Sequence, residues 1–113
     1  MGREAIMPRR DAAEAITLLG AAIRAVRVEK GWTQEDLAAA IATTRRTVSN
    51  IEKGHPATSI GHVFSAASVL GLPLFDTDSA GLTQQRKTLA HVNALLPARV
   101  VNPPRKVPTE RDF

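Results

Sequence analysis

Two helix-start signals stand close together in this chain. Thr33 precedes Gln-Glu-Asp and Thr44 precedes Arg-Arg-Thr, eleven residues further on. A threonine before a helix can accept a hydrogen bond from a backbone N–H in the first turn. Glu35 and Asp36 add carboxylates where the helix dipole is positive. The helix that starts after Thr33 must therefore end before Thr44, and Leu37, Ala38 and Ile41 form its buried face. The next helix runs from Arg45 to about Lys53, where Gly54 and then Pro56 stop it. Helices this short are marginal in isolation and need tertiary packing. Only Val48 and Ile51, with Glu52 beside them, can anchor the second one from behind. Arg45, Arg46, Thr47, Ser49, Asn50 and Lys53 leave the rest of its surface polar.

The flanking sequence supplies further helices. Asp11 and Glu14 have capping-box spacing, which predicts a helix from Asp11. Ile16, Leu19, Ile23 and Val26 form its apolar stripe, and Gly31 ends it. Ser59 caps a fourth helix with Ile60, Val63, Phe64, Ala67 and Leu70 inward and Gly71 at its end. Leu72, Leu74 and Phe75, interrupted by Pro73, read either as the start of a fifth helix or as a short edge strand. The expected organisation is a flexible arm over 1–10, a helical domain over 11–75, and a linker with an extra helix over 76–96. Leu89, Val92 and Leu96 would share one face of that helix. Residues 97–113 hold four of the seven prolines and are basic, so a disordered tail is expected there. The expected fold class is all-α, a compact four- to five-helix domain with a C-terminal extension. Eighteen alanines suit closely packed helices.

Composition narrows the chemistry. With no cysteine, disulfide scaffolds, Cys-based zinc sites and thiol catalysis are excluded. Aromatics make up 4% and tyrosine is absent, which argues against stacking on single-stranded bases. Trp32 reads as a packing residue. His55, His62 and His91 lack ligand spacing, so no metal or cofactor is expected. No phosphate-cradling glycine loop, HExxH motif or nucleophile–histidine arrangement is present, so no enzyme is expected. No run has the length of a membrane span and MGREAIMPRR lacks a signal peptide's apolar stretch, which predicts a cytoplasmic protein. The formal net charge is +4 and the pI is near 10.3.

The stretch 19–72 resembles the lambda-repressor-like (XRE, Cro-type) helix-turn-helix family. The matching pieces are TQEDLA, the connection Ala42-Thr43-Thr44, the helix RRTVSNIEKG, and SIGHVFSAASVLGL, in that order. The resemblance implies double-stranded DNA as partner, with the 45–53 helix in the major groove. By geometry Arg45, Arg46, Ser49 and Asn50 are the base-reading candidates. Arginine can bond guanine O6 and N7, and asparagine can bond adenine. Thr33, Gln34, Thr44, Thr47 and Lys53 are the phosphate candidates. Outside this motif, Arg45-Arg46 would read as a solvated surface pair. The family pattern further implies a structural ion pair between Arg27 and Glu52. It often has glycine where this chain has Ala42, and alanine in a left-handed conformation would cost roughly 1 kcal/mol or a little more.

A single recognition helix buries little surface, so a homodimeric repressor on a palindromic operator is expected. Leu72–Phe75 and 83–96 are the candidate dimer surfaces. A small domain with a C-terminal extension also resembles HipB-like antitoxins, which pair with a kinase-like toxin. In that case Arg105, Lys106 and Phe113 of the tail would engage the partner. The alternative from another class is a protein-interaction module that uses the helical fold without DNA.

Overall fold

Four helices in this protein end in the same way. The structure, a computed structural model, describes residues 7–99. Among these, α1 is Arg10–Glu29, α2 Gln34–Ala40, α3 Arg45–Glu52, α4 Ile60–Val69 and α5 Ser79–Leu95, with no strand. After α1, Gly31 N–H donates to Val28 O and Trp32 N–H to Arg27 O. After α3, Gly54 donates to Ile51 and His55 to Asn50. After α4, Gly71 donates to Ser68 and Leu72 to Ala67. Each pair is a Schellman motif, which needs a left-handed residue just past the helix. Gly31, Gly54 and Gly71 supply it, at φ +78°, +74° and +80°. After α2 the same two bonds form, Ala42 to Ala39 and Thr43 to Ala38, but the left-handed residue is Ala42 at φ +57°.

Helix starts differ from one another. Thr33 heads α2 with a full capping box, its hydroxyl accepting from Asp36 N–H and its own N–H donating to the Asp36 carboxylate. Thr44 heads α3 and accepts from Thr47 N–H. Ser59 occupies the N-cap of α4 without a side-chain hydrogen bond. The capping box expected at Asp11 and Glu14 does not form. α1 begins one residue earlier, after Arg9, and Asp11 instead accepts from Ala12 N–H and lies 3.8 Å from Arg9. A side chain already inside the first turn cannot cap it.

The core joins all four elements of the first unit, which ends at Asp78. Ile23 of α1, Leu37 and Ala38 of α2, Val48 and Ile51 of α3, and Ala66, Ala67 and Leu70 of α4 are buried together. Leu19, Val26, Trp32, Ile41, Val63, Leu72 and Leu74 pack around them. Alanines at three of the eight buried positions let these short helices lie close. Ile60, expected inside, is exposed because it is the first residue of α4 and sits before the helix reaches the core.

Leu72–Phe75 forms neither a helix nor an edge strand. Leu74 and Thr77 make an isolated antiparallel bridge, and Phe75 and Asp76 between them both have positive φ, +56° and +57°. That is the pattern of a type I′ turn. The Phe75 ring meets Phe64 edge-on, with centroids 6.5 Å apart.

Ser79 begins a separate unit. α5 starts there, so most of the 76–96 stretch, expected to hold a linker and an extra helix, is helical. It buries no residue, and Leu89, Val92 and Leu95 are exposed along it, with Leu96 just beyond its end. None of the described helices is long and apolar enough to cross a membrane.

Candidate nucleic-acid interface

The α2–turn–α3 unit owes its rigidity to what lies behind it. Val48 and Ile51 recur at a three-residue interval, so one side of α3 is drawn into the core. At the end of α3 the Glu52 side chain follows them inward and is 3% exposed. A buried carboxylate needs donors, and three N–H groups reach it. Arg27 of α1 supplies two, Nε to Oε2 at 2.5 Å and Nη2 to Oε1 at 3.0 Å. Gln34 Nε2, at the start of α2, supplies the third to Oε1 at 3.1 Å. Arg27 Nη1 also donates to the Trp32 carbonyl at 2.6 Å. One cluster therefore ties α1, the α1–α2 loop, α2 and α3 together. The hydrogen bond from Glu52 holds the Arg27 guanidinium above its already high ordinary pKa. Burial opposes this, and the charges of Glu52 and Glu35 assist it. Among the described residues no buried side-chain polar atom is left unsatisfied.

The opposite side of α3 is the chemically open one. Arg46, Ser49, Asn50 and Lys53 follow each other at helical three- and four-residue spacing, which puts them on one stripe. Arg46 and Lys53 are exposed, and Ser49 and Asn50 are half-buried. The stripe thus carries two cationic donors, an amide with both donor and acceptor, and a hydroxyl. At its head, Thr44 and Thr47 place their hydroxyl oxygens 3.1 Å apart at the positive end of α3.

Not every residue singled out from the sequence joins this stripe. Arg45 sits to its side, with Nε 3.4 Å from Glu35 Oε2 across the turn, and both side chains are exposed. Gln34 is half-buried and spends one amide N–H on Glu52. The Thr33 hydroxyl is engaged in the α2 capping box, with the carboxylates of Glu35 and Asp36 in the same helical turn. Arg105, Lys106 and Phe113 lie outside the described residues.

Two participants went unnoticed in the sequence. Gly20 sits mid-helix in α1 against the last carbonyls of α3. Glu35 pairs with Arg45 beside the α3 stripe. A glycine inside a strongly periodic helix was a signal for the first. For the second, only the turn between α2 and α3 shows which residues meet. No group of described His, Asp or Glu side chains could hold a metal ion.

The helix-turn-helix family model matches residues 23–76, just under half of the chain. No curated protein matches the chain. The matched segment spans the end of α1, all of α2, α3 and α4, and the Phe75–Asp76 turn.

Proposed function

We propose that this chain, whose residues 23–76 are a helix-turn-helix domain of the lambda-repressor-like (XRE) family and which is thereby a DNA-binding transcription regulator, acts as a dimeric repressor. The observation that carries the reading is the outward stripe of α3 on a helix locked from behind by Arg27 and Glu52. In this reading α3 enters the major groove of a palindromic operator. Arg46 and Asn50 read bases, with Ser49 between them and Arg45 joining once it leaves Glu35. Thr44, Thr47 and Lys53 hold phosphates. The second amide N–H of Gln34 and the Thr33 hydroxyl hydrogen add contacts at the start of α2.

Selection of duplexes from a random pool would yield the operator, and two variants then sort the roles. Arg46→Ala loses discrimination at one base pair, about 1–3 kcal/mol. Lys53→Ala weakens all duplexes alike and lowers the salt slope by about 1. Equal binding of every duplex by the wild type, or no effect of either variant, would overturn the reading.

Pairing with a kinase-like toxin, as in HipB-like antitoxins, is favoured by the sequence beyond the domain. Residues 97–113 are proline-rich and basic, a composition suited to ordering on a partner. Removing 97–113 should abolish capture of such a toxin while leaving duplex selectivity intact. Loss of salt-sensitive DNA affinity alone would reduce the tail to a phosphate-binding appendage.

A further inference from the structure

We infer that α5 carries a second DNA contact, made to the phosphate backbone through Arg86 and Lys87 and blind to sequence. Charge is divided unevenly along the chain. Residues 1–78 hold nine Lys or Arg and nine Asp or Glu, so the unit that contains α3 is formally neutral. Residues 79–113 hold six against two, which is the whole +4 of the chain. In the first unit Arg9, Arg27 and Arg45 are also paired with Asp11, Glu52 and Glu35. A neutral unit gains little from the long-range attraction that draws proteins to DNA.

A helix that is merely solvated gains support when acids and bases alternate at four-residue spacing. α5 has no acids for such pairs, since no Asp or Glu occurs from Ser79 to Thr109. Arg86 and Lys87 are exposed, and among the described residues no carboxylate pairs with either. Thr83 and Ala90 are each three or four residues from both cations, so they lie between them on the helix surface. Both are small and exposed. Nothing bulky there holds the cations back from an approaching row of phosphates.

The partner is the duplex itself, and to that extent the inference rests on the DNA-binding reading. A duplex carries one negative charge per about 1.7 Å of its axis, so long cationic side chains find phosphates in any register. Such contacts need charge and reach, not the fixed geometry of base reading. Two exposed cations alone bind weakly. α5 is joined in one chain to the helix-turn-helix domain at 23–76. Once that domain holds a duplex, α5 meets phosphates at high local concentration, and its contacts add to a complex already formed.

Salt titration of duplex binding by the full chain tests it, on the selected operator and on an unrelated duplex. Arg86→Gln and Lys87→Gln together should lower the slope of log affinity against log salt by about 1.8, at about 0.9 per phosphate. The affinity lost should be about tenfold greater at about 50 mM salt than at about 200 mM, and equal on both duplexes. Glutamine is close to both residues in helix propensity, so circular dichroism should show the helix content kept. The exchanged pair, Arg86→Lys with Lys87→Arg, should retain the wild-type slope. An unchanged slope in the glutamine variant would overturn the proposal and point the acid-free helix to a protein partner instead. An equal fall in the exchanged pair would also overturn it, because the effect would then come from packing and not from charge. Failure of the α3 reading shows elsewhere: the wild type would bind both duplexes alike, while the slope would still decide for or against α5.

Discussion

Gly20 of α1 lies against the Ile51 carbonyl at the end of α3, so close that a Cβ would enter the oxygen's van der Waals envelope and lie 3.1 Å from the Glu52 carbonyl. Backbone atoms at the last turn of a helix cannot step aside as a side-chain tip can. Helix propensity alone predicts that Gly20→Ala gains about 1 kcal/mol. The packing predicts the opposite sign, a loss of about 1–3 kcal/mol. Urea denaturation decides between them, and a rise in midpoint would show that α1 and α3 can move apart.

Ala42 lends itself to the reverse experiment. It occupies the left-handed position that Gly31, Gly54 and Gly71 fill after the other helices. Ala42→Gly relieves the steric cost there, offset in part by the greater freedom of glycine in the unfolded chain. A net gain of about 0.5–1 kcal/mol in unfolding free energy is expected, with duplex affinity unchanged.

Arg27 and Glu52 form a pair whose members depend on each other. Their side chains are 10% and 3% exposed. Removing one strands the other in the core, so Arg27→Met or Glu52→Gln should each cost about 3–5 kcal/mol. The double variant should lose clearly less than the sum of the two. Additive losses in a thermodynamic cycle would mean that the two groups do not act as a unit.

Glu35 is placed to restrain Arg45. Their contact is exposed, and such pairs contribute at most about 1 kcal/mol, so Glu35→Gln should leave thermal stability unchanged. It should, however, free Arg45 and, on the proposed reading, remove a negative charge from beside the α3 stripe. Affinity for DNA should rise by about two- to fivefold in a fluorescence-anisotropy titration, with the gain shrinking as salt is added. Unchanged or weaker binding would mean that Arg45 stays away from DNA.

The helix ends were legible in the sequence because their causes are local. Thr33 and Thr44 cap through atoms two or three residues away, and glycines at 31, 54 and 71 meet a backbone requirement of their own turn. The apolar spacing at 23, 37, 48, 51, 67 and 70 likewise contained the core and, with the motifs around it, the helix-turn-helix class. Other features are properties of two elements at once. The need for glycine at 20 exists only because α3 ends above it. Gln34 is drawn toward Glu52, and Arg45 toward Glu35, only because the turn brings α3 back across the start of α2. Asp76 is of a type that tolerates the left-handed region, but Phe75 before it is not, so no local rule predicts the conformation of Phe75. Short-range hydrogen bonding and periodicity therefore determined the elements, while the directions in which their polar side chains point were decided by what packing placed opposite them.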